Sequence, residues 1–328
     1  MRLLKRFSVL SILCLLLIAH PVTAEWREFK HVAMTTPINL VFWELHTQKA
    51  KLISKQVFQE FDNIEHSMSR YIPDSELSLV NQTAAKQAVL VSDSLFEVLA
   101  AAMNISRLSE GAFDMTFGSV GYLYDFRQRI QPSEEAIQNS IRSVNYQYVQ
   151  LDHKYKSVGF KEEGVLLDLG GIAKGYAVDQ GIRILQEHAI KHAHLSAGGD
   201  MRLLGDKKGK PWIIGIRNPR VEDKQSLIMP LSDTAISTSG DYERFFIDDS
   251  GERIHHILSP KTGKPVKGLQ SVTVLAADAT TSDGLSTAIF VLGLEKGLAM
   301  VNKLNGIDAI LIDEQGKVHY SNGLTQPE

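Results

Sequence analysis

Hydrophobic residues recur with helical spacing in several segments of the chain. Residues 52–68 and 92–108 place apolar side chains at positions i, i+3, i+4 and i+7, and a shorter pattern of this kind begins at Ser133. Such spacing lines one face of a helix, so we predict amphipathic helices there, with the opening serine of the last two as N-cap. Residues 31–45 instead alternate between apolar and polar types, which predicts a strand or hairpin broken at Pro37.

The second half of the chain is dominated by short runs of β-type residues. Before it, the polar segment 70–82 is predicted to be a loop. One helix is predicted after Gly171 and another over residues 280–292. Strands are predicted at 148–151, 165–169, 194–196, 212–216, 227–231, 245–247, 271–275, 309–312 and 318–320. The mixture predicts an α+β fold, a single compact domain with mixed β-sheets flanked by helices. Segments 195–200 and 236–241 are similar enough to suggest a weak internal duplication.

The N-terminus has the features of a secretory signal peptide. Three basic residues precede an apolar run at 7–19, and residues 22–24, Val-Thr-Ala, fit a cleavage site after Ala24. The apolar run is too short to span a membrane. Cys14 follows Leu13 rather than a small residue, which argues against a lipoprotein signal. We therefore expect residues 1–24 to be removed and the remainder, 25–328, to be periplasmic.

The remaining 304 residues contain no cysteine, so the exported chain must be stabilised by an apolar core. Without the three basic residues of the leader, 32 basic residues face 38 acidic ones, a net charge of −6. This balance favours neither nucleic acid nor an anionic membrane surface as a partner. No second apolar stretch is expected to reach membrane-spanning length.

The segment Asp168-Leu-Gly-Gly-Ile-Ala-Lys174-Gly-Tyr is the most informative one in the chain. It is predicted as a buried strand ending in a carboxylate, a turn of two glycines, and a helix with a lysine in its first turn. Bare backbone at the turn and free N–H groups at the helix start suit an anionic ligand. The alternative is ordinary turn chemistry between a strand and a helix.

Asp283 and Thr287 are spaced one helical turn apart, which places a carboxylate and a hydroxyl on the same face of a helix. These are hard oxygen ligands, and Mg²⁺ commonly takes one or two such groups together with phosphate oxygens and water. The alternative is an N-terminal capping region, because Asp, Ser and Thr all favour helix starts.

His255 and His256 are adjacent, and neighbouring side chains on a strand point to opposite faces, so the two are not expected to chelate one metal ion together. One of them near a phosphate could act as a general base. The alternative is a histidine satisfied within the fold or facing solvent. The chain contains neither a nucleophile elbow nor a phosphate loop or dinucleotide fingerprint.

Seven motifs, in this order along most of the chain, resemble the ApbE family of FAD:protein FMN transferases. They begin at Met68 (Met-Ser-Arg-Tyr), Gly111 (Gly-Ala-Phe-Asp), Asp168 (Asp-Leu-Gly-Gly-Ile-Ala-Lys), Ser196 (Ser-Ala-Gly-Gly-Asp), Thr238 (Thr-Ser-Gly-Asp-Tyr), His256 (His-Ile-Leu-Ser-Pro-Lys-Thr-Gly) and Asp283 (Asp-Gly-Leu-Ser-Thr). Many members of the family have Asp-Pro where this chain has Ser259-Pro260, so no role is assigned to that position.

The resemblance implies a Mg²⁺-dependent enzyme that splits FAD, releases AMP and leaves FMN on a Thr or Ser hydroxyl of an acceptor protein. Family acceptors are proteins of exported or membrane redox complexes. An FAD pyrophosphatase that yields FMN and AMP is the nearest alternative, and a non-catalytic flavin-binding protein is the second.

The resemblance also implies roles for particular residues. Asp283, Thr287 and the backbone carbonyl of Gly171 would bind the metal, and His256 and Asp283 would serve catalysis. FAD contacts would map to Met34, Tyr71, Ala112, Phe113, Asp114, Asp168, Lys174 and Ile257.

Overall fold

The computed structural model describes residues 25–221 and 223–324. The predicted signal peptide at 1–24 lies outside the described residues. The helices are α1 (Thr47–Met68), α2 (Glu76–Thr83), α3 (Asp93–Leu108), α4 (Gly118–Gly121), α5 (Glu134–Ser140), α6 (Ala173–Glu187) and α7 (Ala279–Val301). The strands are β1 (Glu25–Ala33), β2 (Thr36–Glu44), β3 (Val89–Leu90), β4 (Val149–Asp152), β5 (Ser157–Phe160), β6 (Ala193–Ala197), β7 (Asp200–Leu204), β8 (Trp212–Arg217), β9 (Gln225–Leu231), β10 (Ala235–Gly240), β11 (Phe245–Ile247), β12 (Arg253–His255), β13 (Leu269–Ala276), β14 (Asp308–Asp313) and β15 (Val318–Tyr320).

An eight-stranded sheet with the order β1-β2-β6-β7-β10-β13-β14-β15 organises the fold. Helices α1, α6 and α7 pack against it, and the β8–β9 hairpin contributes Trp212 and Ile214 to a separate apolar cluster with Ile236, Leu275 and Ile310 of the sheet. All residues of β13 are buried because both faces of this strand are covered.

The α+β class is confirmed. The sheets, which we predict to be mixed, are instead antiparallel. Every pair of strands within the described residues runs antiparallel, and a single parallel bridge joins Phe117 to Leu166 outside the named strands. Short connections join the hairpins β1–β2, β6–β7 and β14–β15, and such connections suit antiparallel pairing. The internal duplication stays a prediction.

Several predicted helices begin where the sequence indicated. The Ser92 hydroxyl caps α3 by accepting a hydrogen bond from the Leu95 N–H, and Ser133 caps α5 in the same way. Helix α6 follows the Gly171 turn, and the predicted helix at 280–292 is the first part of α7. Side-chain capping therefore sets the beginning of α3 and α5, whereas α6 begins without a side-chain cap.

The first hairpin turns earlier than predicted. Met34 and Thr35 form the turn with positive φ angles of 53° and 59°, whereas Pro37 lies inside β2 and pairs with Val32. Proline is tolerated near the beginning of a strand, so it does not break the hairpin here.

The polar segment predicted as a loop at 70–82 contains helix α2. The Ser75 hydroxyl accepts a hydrogen bond from the Ser78 N–H at 3.0 Å, and Leu77 and Val80 are buried. A side-chain cap and two apolar anchors are enough to fix a two-turn helix within a mostly polar sequence.

Helix α7 overturns the expectation that no further segment reaches membrane-spanning length. Within the described residues it is long and apolar enough by length and composition to cross a membrane. Its buried side chains, Leu285, Ile289 and Phe290 among them, pack in the main apolar cluster, and non-helical backbone at Gly293 interrupts it. These contacts are those of the core helix of a globular domain.

Candidate active site

The apolar segment before Gly170 is not a strand, contrary to the prediction for 165–169. The N–H groups of Leu166 and Leu167 donate to Ser119 Oγ at 2.9 Å and Asn81 Oδ1 at 2.7 Å. The Asn81 amide also donates to the Leu167 carbonyl at 3.0 Å. Side chains thus take the place of a neighbouring strand and hold the backbone extended up to Asp168.

The turn itself is closed by Asp168. One carboxylate oxygen accepts a hydrogen bond from the Gly170 N–H at 2.8 Å, and the other lies 3.5 Å from the Arg70 Nε atom. Gly171 follows, and a Cβ added to it would lie 3.1 Å from Thr287 Oγ1. The turn therefore places the backbone of Gly171 directly beside the predicted metal-binding hydroxyl.

Lys174, in the first turn of α6, lies between two buried carboxylates. Its Nζ atom is 2.7 Å from Asp200 Oδ2 and 3.4 Å from Asp283 Oδ2. Burial alone would lower the pKa of Lys174, but the two negative charges outweigh burial and raise it, so the lysine is positively charged. Burial, and then the charge of Asp200, raises the pKa of Asp283.

Helices α6 and α7 touch at this point. The Gly175 N–H donates to Asp283 Oδ2 at 3.0 Å, and a side chain on Gly175 would collide with the backbone of α7. Asp278 caps α7 by accepting from Thr281 N–H, so the capping interpretation is right for Asp278, while Asp283 lies more than a turn further along. The Ser239 hydroxyl lies 3.3 Å from Thr287 Oγ1 and connects it to β10.

The two adjacent histidines have different environments. His255 is buried, its Nε2 atom lies 2.8 Å from the Val266 carbonyl oxygen, and its Nδ1 atom accepts from the Ile257 N–H at 3.3 Å. Both ring nitrogens of His255 therefore have hydrogen-bond partners within the fold, as the alternative interpretation of this pair predicts. His256 instead lines the cavity described below, and burial, reinforced by the charge of Arg244, lowers its pKa to about 3. Its imidazole is therefore neutral at neutral pH.

The Asp114 carboxylate is held in place by three hydrogen bonds from the protein itself. It accepts from the Thr116 N–H at 2.8 Å, the Thr116 hydroxyl at 2.6 Å and the Tyr146 N–H at 2.8 Å. Burial nevertheless raises the pKa of Asp114. These three bonds fix the wall to which Ala112 and Phe113 belong.

The outer part of the site is formed by Met34 and Tyr71. Glu65 accepts a hydrogen bond from the Met34 N–H at 2.8 Å and so holds the strained turn of the first hairpin. The Arg70 guanidinium stacks on the rings of Tyr71 and Tyr122, 4.5 and 4.0 Å from their centroids. Tyr71 itself is 70% exposed and offers a flat apolar face at the edge.

Every predicted site residue borders one cavity of about 520 Å³. The structure thus brings together side chains from the first hairpin, α6, α7 and the segments around residues 70, 113, 168 and 256. Three contributors were missed at the sequence level: Asp200, Arg70 and Asn81. Two of them lie within the motifs quoted above, and Asn81, outside those motifs, carries no sequence signal for its double hydrogen bond.

The oxygen atoms present fit Mg²⁺. The Asp283 carboxylate, the Thr287 hydroxyl and the nearby Gly171 backbone form a small, hard donor set. Asp283 Oδ1 accepts no hydrogen bond from the described residues, while Oδ2 accepts two. No group of three or more His, Cys, Asp or Glu side chains in 25–221 and 223–324 is arranged to hold a metal ion. A site with few protein ligands is typical of Mg²⁺ that is also bound by substrate phosphates.

Comparison with known proteins agrees with these motifs. The profile of the ApbE family matches residues 34–311. A protein of Treponema pallidum named FAD:protein FMN transferase is 33% identical over 288 residues, which cover 82% of this chain and 79% of that protein. The ApbE protein of Thermotoga maritima superposes with a TM-score of 0.83 at 34% identity, covering 91% of this chain and 98% of that one. The flavin transferase ApbE from Vibrio cholerae gives 0.82 at 30% identity, with coverage of 92% and 98%.

These matches extend over most of the chain and define a class of flavin-related transferases. The chain belongs to the ApbE family. The resemblance drawn from the seven motifs is confirmed, and the predicted transferase class agrees with the names of the relatives.

Proposed function

We propose that this chain transfers the FMN part of FAD to a Thr or Ser hydroxyl of an acceptor protein and releases AMP. The proposal includes Mg²⁺ as cofactor and, from the predicted signal peptide, the periplasm as the compartment. The observation that carries it is that an oxygen donor set, a partly buried lysine and a neutral histidine all line one cavity. These are the groups that phosphoryl transfer requires for charge neutralisation and proton removal.

The walls of the cavity suit the two ends of FAD. Tyr71, Met34 and Ile257 supply apolar surface for a flat ring, and Lys174 supplies a fixed positive charge for the pyrophosphate. Asp200 and Asp283 already hold the Lys174 ammonium group in place, so this side chain needs little movement when a phosphate binds.

Asp283, Thr287 and the Gly171 carbonyl would hold the metal. When bound, Mg²⁺ would neutralise pyrophosphate charge and stabilise the leaving AMP. The packing of α6 on α7 through Gly175 keeps these groups in register with Lys174.

His256 would remove the proton from the acceptor hydroxyl. As that oxygen forms a bond to the FMN phosphorus, the bond from phosphorus to the AMP oxygen breaks, and the hydroxyl proton moves to the neutral imidazole. Burial, and then the charge of Arg244, makes this imidazole a weak base by lowering its pKa. The negative charge of a bound pyrophosphate raises its pKa and so improves it as a base.

The test is the mass of the acceptor. We would incubate the protein with FAD, Mg²⁺ and a purified exported redox-complex subunit, and measure the subunit before and after. We expect added FMN with the wild type, none with Asp283→Ala, and a wild-type result with the control Asp249→Ala, since Asp249 is exposed and does not line the cavity.

Two outcomes would replace the proposal with its alternatives. AMP release that needs no acceptor, with an unmodified subunit, would make the chain an FAD pyrophosphatase. Intact FAD that stays bound in the presence of Mg²⁺ and acceptor would make it a flavin-binding protein. Full transfer by Asp283→Ala would contradict the metal assignment.

A further inference from the structure

Asp200 is a buried carboxylate to which the mechanism above assigns no step of its own. It begins β7, its side chain is 3% exposed, and it faces the first turn of α6. Lys174 is its ion-pair partner. The same lysine also contacts Asp283, so one cation serves two carboxylates.

Lys174 lies closer to Asp200 than to Asp283. Lys174 Nζ lies 2.7 Å from Asp200 but 3.4 Å from Asp283, and the oxygen it approaches on Asp283 is the one that already accepts the Gly175 N–H. The lysine is therefore drawn toward β7 and away from the carboxylate predicted to bind metal. A buried ammonium group needs at least one close negative partner, because leaving it unpaired is costly.

We propose that Asp200 is a positioning residue that holds Lys174 on β7 and so keeps Asp283 available to Mg²⁺. This inference rests on the proposed function, since it assumes the metal site at Asp283. Without the Asp200 charge, Asp283 is the remaining carboxylate in contact with Lys174 among the described residues. The lysine would then pair fully with Asp283, and an ammonium group in close contact with a carboxylate competes with a cation for the same oxygens.

The test measures Mg²⁺ binding by isothermal titration calorimetry on the full chain without FAD. Asp200→Asn is expected to weaken Mg²⁺ affinity about 10- to 100-fold, as other outer partners of metal ligands do. Glu243→Gln is the matched control. It removes one negative charge from the same cavity, but Glu243 is exposed and is not an ion-pair partner of Lys174, so its affinity should stay within twofold of the wild type.

A second pair of variants separates competition by Lys174 from loss of the fold. Lys174→Gln removes the competitor, so Lys174→Gln and Lys174→Gln/Asp200→Asn should bind Mg²⁺ equally well. This comparison also applies if Asp200→Asn alone does not fold, because the double variant removes the Lys174–Asp200 pair as a whole and Asp283 keeps the Gly175 N–H as a partner.

The outcomes test the metal site at Asp283 and the role of Asp200 separately. A wild type that binds no Mg²⁺, or binds it equally well after Asp283→Ala, would overturn the proposed metal site. A wild type that binds Mg²⁺ through Asp283, with affinity unchanged by Asp200→Asn, would overturn the role of Asp200 alone. So would a further loss of affinity when Asp200→Asn is added to Lys174→Gln.

Discussion

Gly175→Ala should damage the site although Gly175 itself has no predicted role in binding FAD or the metal. A methyl group at this position would lie 2.2 Å from the carbonyl oxygen of Ala279 and 2.8 Å from Asp283 Cβ. The first of these atoms belongs to the backbone of α7, so no rotamer change can move it away. The glycine is required here because α6 and α7 cross with their backbones in contact.

The size of the effect follows from that distance. Contacts at a Cβ below 3.0 Å essentially do not occur, so α6 and α7 must separate by at least 0.8 Å. Overpacking of this kind costs about 1–3 kcal/mol of unfolding free energy. The displaced atoms include Asp283, and a misplacement of about 1 Å can lower a rate about 100-fold.

Two assays check this reasoning. Urea unfolding would measure the stability loss, and FMN transfer to the acceptor would measure the rate. Gly159→Ala is the control, because its nearest neighbour would lie at 3.8 Å and little should change. A Gly175→Ala protein with wild-type stability and wild-type transfer would show that the two helices are not locked together as described.

Three further predictions concern separate parts of the molecule. His256→Ala should lower the transfer rate by about 100- to 10,000-fold and should lower FAD affinity much less. An FAD titration beside the rate measurement would separate the two effects. Equal losses of rate and affinity would refute a role of His256 in proton removal. Burial, and then the charge of Lys207, lowers the pKa of His194 from 6.5 in the unfolded chain to about 4. Because the unfolded chain takes up the proton first as the pH falls, the contribution of neutral His194 to folding stability is complete above pH 6.5 and is lost toward pH 4. The loss of folding free energy reaches up to about 3 kcal/mol. Urea unfolding of wild type and His194→Gln at pH 7 and pH 4.5 measures this, and an equal acid loss in both proteins would count against it. Ser75→Ala should cost about 1 kcal/mol through the lost cap of α2, and no change in urea midpoint would speak against the cap.

The sequence predicted well where local chemistry decides the structure. Ser92 and Ser133 were expected as N-caps and are N-caps, because a serine hydroxyl satisfies a free N–H in its own helix. The spacing of Asp283 and Thr287 was enough to put both on one face of α7. Local pattern also located the Gly171 turn and the lysine after it.

The errors arise where distant groups decide. The apolar run 165–169 has the pattern of a strand, but its backbone is held by the side chains of Asn81 and Ser119 and by the backbone carbonyl of Met115, and no local pattern reveals these distant partners. Asp200 is brought to Lys174 only by the packing of β7 on α6. The motif containing Asp200 was recognised, but a charge pair between separate elements cannot be deduced from spacing.

In the proposed function, the cavity moves FMN from FAD to a protein hydroxyl. The most direct measurement is the intact mass of an exported acceptor after incubation with this chain, FAD and Mg²⁺, with AMP quantified in the same reaction. We expect an acceptor that is heavier by one FMN, and one AMP released for each acceptor modified. An unmodified acceptor beside undiminished AMP release would contradict the proposed function.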